Sequence, residues 1–456
     1  MSLEKDNLFM IDSRVRQPES SHYLQHLTAL SDTQEVTASE DIFNQFGVLL
    51  IAKGSPINRK AQARLNQHQL MKNIDQQVAL KTTFSDQQLF QQSLLMFERS
   101  PEFWQLHQSN RFEDAFRHIC LVGSVPLPLR QKLSVMAQQL PSLFEHSLFT
   151  GWACALIAHE LGLKTKACRE AYICGLLHDI GLLHLSPEVQ TQIPLSEENW
   201  RALQSHVIIG QRCADDCGLP KAIGQGIFEH HERLDRTGYP GRKAPDQLGQ
   251  LGQLVASTDL LHSLCTNELS HSERSMQDAL PYLKIHSGSF SQPIHSAIMR
   301  LLSRGSTHAT TSVSSIKEAN LARVRDVNSR LKTLGAPLSE LSQIARAGEQ
   351  PECQKVETMM VSIMGILDES GLGDDLLSSW MMEDQDPAEP SNQSDLKDID
   401  AMQYELLWLF KRLGWSLGQL AGSQGRPAGS ALAAYHAQLT EQLEEAFTRY
   451  SPSIEL

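Results

Sequence analysis

In the middle of the chain, apolar positions recur every three to four residues over long stretches, the spacing that buries one face of a helix. In "HSLFTGWACALIAHELGL" the residues Leu148, Trp152, Ala155, Ile157 and Leu161 follow this period, and Gly162 stands where a helix C-cap belongs. "REAYICGLLHDIGLL" predicts a second apolar helix, closed off by Ser186-Pro187. "SEENWRALQSHVIIGQRCADDCGLP" predicts a third, from Ser196 as N-cap to Gly218 and Pro220. "KAIGQGIFEHHERL" predicts a fourth, broken by the loop "DRTGYPGRKAP", and "QLGQLVASTDLLHSLCTNE" a fifth. No stretch between about 96 and 310 alternates with the period of two that strands require, so an all-α core is expected there.

The flanks read differently. Residues 1–95 predict a small α+β domain: two short apolar runs around Asn44-Gln45-Phe46-Gly47 suit a hairpin, and Asn58 caps a helix over "RKAQARLNQHQL". Ser85-x-x-Gln88 is a capping box that opens a further helix. Residues 311–456 predict a helical extension. Ile316, Leu321, Val324, Val327, Leu331 and Leu334 form one amphipathic stripe, and two helices near 398–420 and 430–450 form a hairpin. An acidic, proline-containing linker is expected near 382–397. The fold class expected is mainly α. The hairpin could serve a homodimer or a partner protein, and plain packing extensions of the core explain both flanks equally well.

Composition narrows the function. Of 456 residues, 41% are hydrophobic and 20% charged, with a formal net charge of −13. This acidity argues against general affinity for a nucleic-acid polymer or an anionic membrane, so an anionic substrate needs locally placed cations. The N-terminus shows no signal-peptide pattern, and no apolar run approaches the roughly 20 residues that span a bilayer, so a cytoplasmic protein is expected. Eight cysteines without a dense framework suit a reducing compartment. Cys213 and Cys217 read as small buried residues.

Polar groups interrupt these apolar helices in a pattern. His146 falls early in the first core helix, His178-Asp179 in the middle of the second and His206 on the third. His230-His231 fall near the end of the fourth and Asp259 on the fifth. A lone histidine on an apolar face is most often a satisfied core residue, and among 18 histidines an HD dipeptide arises by chance. The set is harder to dismiss. An ionised, unpaired buried aspartate costs several kcal/mol or more, and neither Asp179 nor Asp259 has an Arg or Lys one helical turn away. Divalent cations would supply that charge and account for five imidazoles in one core.

The order His…His-Asp…His…His-His…Asp, with "HHERLDRTGYPGR" after the paired histidines, resembles the HD-GYP branch of the HD phosphohydrolases over about residues 140–300. The resemblance implies a two-metal site. Asp179 bridges both metals; His146, His178 and Asp259 complete one site, and His206, His230 and His231 the other. Iron or manganese is favoured, with zinc, nickel or magnesium also admissible. Ser142 stands where some members place a glutamate for a third metal. The implied reaction is hydrolysis of cyclic di-GMP, with Asp179 and His178 at the catalytic centre and Arg233, Arg236, Tyr239 and Arg242 on the substrate side.

The departures bear on substrate. Leu182 replaces the family's phosphate-holding lysine, and Arg236 replaces a loop glycine. "CTNELSHSERSMQ" stands where an Arg-rich segment is usual, and His262 where a second aspartate is common. Losing a charge-assisted hydrogen bond costs about 1.5–3 kcal/mol. Three readings follow: a cyclic di-GMP phosphodiesterase, a phosphohydrolase for another nucleotide or phosphoester, and a metal-binding signalling module that uses the Gly-Tyr-Pro loop and the C-terminal helices.

Overall fold

The computed structural model describes residues 21–191, 197–268, 276–304, 318–348, 351–374, 377, 390–424 and 431–450. The protein is mainly helical. Its contacts group the chain into two compact units: Met1–Arg99 with Asp114–Leu156 and Lys164–His230, and Ser100–Glu113 with Ile157–Leu163 and His231–Leu456.

In the first unit, the N-terminal strands make two small antiparallel pairs. Strand β1 (Val36–Ala38) pairs with β4 (Val78–Leu80), and β2 (Ile42–Phe43) with β3 (Leu49–Ile51). The β2–β3 turn is held by Asn44, whose side-chain oxygen accepts from the Phe46 and Val48 amides at 3.0 and 2.9 Å. Asn58 accepts from Lys60 N and Ala61 N and so caps the helix Arg59–Leu65. Ser85 and Gln88 exchange the reciprocal bonds of a capping box ahead of Asp86–Arg99.

The helices of this unit pack around Trp152, Phe149, Phe116 and Tyr172, each under 2% exposed. Pro141–Glu160 and Thr165–Leu177 cross with backbones nearly touching: a Cβ on Gly175 would lie 2.6 Å from the Thr150 carbonyl oxygen. Only glycine permits that approach, and it brings His146 of one helix against His178 at the end of the other.

Helix boundaries differ from the expectation in an informative way. The second core helix ends at Leu177, so His178-Asp179 lies at its end and not mid-helix. The third is two helices, Glu197–Gln204 and His206–Asp216, and the fourth stops at Glu229. Each break falls at a histidine. His178, His206 and His230 donate Nδ1–H to the carbonyls of Gly175, Leu203 and Ile227, three residues back, at 2.7, 2.6 and 2.6 Å. Each ring thereby satisfies a carbonyl of the kind a helix end leaves without a backbone partner. Ser196 lies outside the described residues.

In the second unit, one core gathers Leu334, Leu338, Met360, Phe410, Leu413 and Leu439 from the C-terminal helices. Pro390–Gln424 is one helix of 35 residues followed by Ala431–Tyr450. Residues 390–397 of the expected linker are therefore helical, and 382–389 lie outside the described residues. Among the described residues, no helix is long and apolar enough to cross a membrane.

Candidate metal centre

Four imidazoles of the first unit converge on one carboxylate. Asp179 Oδ2 lies 3.2 Å from His178 Nε2 and 3.7 Å from His146 Nε2. Its Oδ1 lies 3.2 Å from His206 Nε2 and 3.6 Å from His230 Nε2. Each oxygen thus faces its own pair of histidines. Within the pairs, Nε2 of His146 and His178 are 3.0 Å apart, and Nε2 of His206 and His230 are 3.3 Å apart.

The tautomers decide what this geometry wants. A carbonyl can only accept, so Nδ1 of His178, His206 and His230 must carry the proton. In the neutral ring each Nε2 is then a bare lone pair, and all three are aimed at the cluster. Two such acceptors at 3.3 Å, beside an anionic carboxylate, repel unless positive charge stands between them. Burial pulls the His230 imidazole down to about 4, so it is neutral near pH 7. Burial pushes the Asp179 carboxyl up, and protons on the imidazole nitrogens that face it, His178 first, hold it well below the usual carboxylate range; with those nitrogens bare, a cation would have to take over that role. Neutral imidazoles with Nδ1 tied to backbone, around an ionised carboxylate, are the donor set that binds a divalent transition metal. The residues present fit the group.

Of the seven ligands expected, His146, His178, Asp179, His206 and His230 lie in the first unit and converge there. His231, the next residue along, opens the second unit, where its ring stacks on Tyr239 at 4.6 Å. Asp259, on Gln250–Ser263, belongs to that unit too. Leu182 lies one turn past Asp179, its amide donating to the Asp179 carbonyl at 2.9 Å.

The loop after the paired histidines is held from within. Glu232, fully buried, accepts from the Gly241 and Lys243 amides at 2.6 and 3.1 Å. Asp235 accepts from Thr237, from Ser289 and from Ser362 of the helix Pro351–Ser370. Sequence reading passed over both acids; the Asp-x-Thr spacing of an Asx turn was the available signal for the second. Arg233 lies over the Phe290 ring at 4.9 Å, whereas Arg236 and Arg242 are exposed with φ of 59° and 48°.

A second histidine–aspartate cluster of the first unit has another character. Asp75, His184 and Cys213 could frame a metal ion, but the Lys132 ammonium is already among them. It pairs with Asp75, donates to His184 Nε2 at 2.8 Å and sits 4.0 Å above the Tyr23 ring. This is a buried ion pair, complete without a metal. Cys213 and Cys217 are half-exposed and line a small cavity beside it, so they are not the buried filler that their spacing suggested.

Residues 131–291 match the family described as HD domain. Over 128 residues the chain is 31% identical to 3'3'-cGAMP-specific phosphodiesterase 1 of Vibrio cholerae, a stretch covering 26% of this chain and 28% of that protein. Over 152 residues it is 28% identical to the cyclic di-GMP phosphodiesterase PA4108 of Pseudomonas aeruginosa, covering 32% and 37%. Among solved structures it is similar to Bd1817, an HDG"Y"P protein of Bdellovibrio bacteriovorus, at 20% identity and a TM-score of 0.32, covering 48% of this chain and 70% of that one. The chain spans well under half the length of the curated relatives it matches. Its middle third, the stretch that carries the histidine and aspartate cluster, is an HD domain.

Proposed function

We propose that the chain is a metal-dependent phosphodiesterase that hydrolyses a cyclic dinucleotide, cyclic di-GMP in the first instance, in second-messenger signalling in the cytoplasm. The observation that carries this reading is the split of Asp179: two oxygens of one buried carboxylate, each facing a separate pair of imidazoles. That is the arrangement of a carboxylate shared by two cations. The relatives named as phosphodiesterases of cyclic di-GMP and of 3'3'-cGAMP support the substrate class.

His146 and His178 would hold one cation and His206 and His230 the other, with Asp259 and His231 assigned to complete the two sites. Carboxylate and imidazole donors favour iron or manganese. Two such cations lower the pKa of a water and neutralise charge on a phosphoryl oxygen. The chain's own part is to fix the donors. Backbone carbonyls lock three tautomers, Asp179 stays ionised, and the loop held by Glu232 and Asp235 presents Tyr239, Arg233, Arg236 and Arg242 to substrate. Leu182 contributes neither charge nor a hydrogen bond, which favours a second reading: a phosphohydrolase for another nucleotide or phosphoester.

The test is purified full-length protein loaded anaerobically with Fe(II) or Mn(II) and offered cyclic di-GMP, 3'3'-cGAMP and a panel of nucleotide phosphoesters. Linear dinucleotide or mononucleotide product from a cyclic substrate supports the first reading. Turnover confined to other phosphoesters selects the second, and no turnover with either metal overturns both.

A further inference from the structure

The helix Pro390–Gln424 carries two stripes of residues at alternating spacings of four and three, the period at which helices pack side by side. Leu406, Phe410, Leu413, Leu417 and Leu420 make the first; all are under 5% exposed and belong to the core of the second unit. Tyr404, Trp408, Lys411, Trp415 and Gly418 make the second. Displaced by two residues, it lies about 200° round the helix from the first. Trp408 and Trp415 stay 38% and 43% exposed there, which is unusual for the largest apolar side chain.

Ala431–Tyr450 lies beside this stripe. The Trp408 ring is 5.4 Å from Phe447, and a Cβ on Gly418 would lie 3.3 Å from the His436 ring, so the two helices run antiparallel. Between them is an open groove of about 520 Å³, lined by Lys411 and Trp415 on one side and by His436, Thr440, Glu444 and Phe447 on the other. Lys411 follows Trp408 by three residues and Glu444 precedes Phe447 by three, so both stand at one height. The Lys411 ammonium lies 4.2 Å over the Trp408 ring and 5.1 Å over that of Phe447. Both charged side chains are exposed, and neither makes an ion pair among the described residues. The two lips of the groove thus carry opposite charges, with aromatic rings to either side.

We infer that this outer face of the hairpin joins two copies of the chain into a four-helix bundle. A twofold axis running along the groove sets each helix over the opposite helix of the second copy, at the same height. Lys411 of each copy then meets Glu444 of the other, and the charge pattern complements itself. A foreign helix would have to bring that pattern, whereas a second copy has it by symmetry. Trp408 and Trp415 leave water in the bundle and supply the attraction. A lone lysine in an aromatic seam fixes register and orientation, because any other alignment buries it without its acid. The face includes no assigned metal ligand and no residue of the Gly-Tyr-Pro loop, so the assembly stands apart from the phosphodiesterase reading.

Analytical ultracentrifugation of the full chain at micromolar concentration tests this. The native chain sediments as a dimer. Lys411→Glu sets glutamate against glutamate twice in the bundle, and Glu444→Lys sets lysine against lysine. Each weakens association about a hundredfold or more, so either variant alone sediments as a monomer. An equimolar mixture of the two recovers the dimer, because each supplies the charge that the other has lost, and this recovery also shows that both are folded. The double variant, Lys411→Glu with Glu444→Lys, is a dimer again. Lys53→Glu, at an exposed lysine just past β3, changes the net charge as much as Lys411→Glu and leaves the dimer intact. A dimer that persists in both single reversals, or a mixture no better associated than its components, overturns the inference. So does a native chain that stays monomeric, an outcome that leaves the groove to a helix of another protein.

Discussion

Two buried clusters in one unit use the same residue types and resolve their charge in opposite ways. Around Asp75 a lysine supplies the positive charge, and His184 serves as acceptor for its proton. Around Asp179 no lysine is present among the described residues, three imidazoles are fixed with bare nitrogens inward, and the carboxylate faces two pairs. The first cluster is self-sufficient and contributes to folding. The second has no such internal cation among the described residues, and on the proposed reading metal ions would supply it. A buried histidine–aspartate contact is therefore uninformative until the partner of the second ring nitrogen is known.

Substitutions at the two aspartates should separate these roles most sharply. Asp179→Ala is expected to abolish hydrolysis, by about 10³-fold or more, and to lose bound metal, because on the proposed reading one carboxylate would serve both sites. Asp75→Ala should leave the metal stoichiometry intact; metal analysis and an activity assay on the same samples check both. The stability order is the reverse. Asp75→Ala strands the Lys132 ammonium in the core and should cost about 3–5 kcal/mol in denaturant unfolding, whereas Asp75→Leu with Lys132→Met should recover most of it.

Chelation should yield a smaller effect that again divides the clusters. Metal at a hundred times its Kd stabilises a protein by about 2.7 kcal/mol, so stripping it should lower the native Tm by the corresponding few degrees. Asp75→Asn should show the same drop, and Asp179→Ala none.

The smallest effect is in pH. Burial pushes the Asp75 carboxyl up, but Lys132 and then His184 more than reverse this and hold it below its ordinary value. Burial likewise pulls Lys132 down, and Asp75 outweighs it, so the ammonium is held above its ordinary value. A depressed carboxyl gives stability that is full above its unfolded value, near 4, and fades as pH falls through the lower folded one. A raised ammonium gives stability that is full below about 10.5 and fades as pH rises through its higher folded value. The stability gap between native protein and Asp75→Asn should therefore narrow below about pH 4, and narrow again as pH rises toward about 10, where Lys132, pulled down by burial once its partner is gone, gives up its proton in the variant. A gap that widens between pH 5 and 9 would show that another group controls it.

The cluster at Asp179 was legible because its members are reactive types set into apolar helices at recurring intervals. Its local geometry was not. Period alone carried the second helix through "HDIGLL", since Ile180 and Leu183 continue the apolar stripe, and nothing in the period reveals that His178 takes over a backbone carbonyl. The Lys132–Asp75 pair was out of reach because 57 residues separate its partners.

Gly181 sits in the short 3-10 turn that follows Asp179, where a Cβ would fall 2.1 Å from the His206 carbonyl oxygen. The two chain segments that carry a shared carboxylate and one of its imidazoles are thus spaced by the bare thickness of a peptide backbone. Position 181 acts as a gauge. Any heavier residue there would widen the gap between Asp179 and His206, the pair proposed to share one ion, before it touches either, so a change of a single methyl group should alter which cations the chain retains.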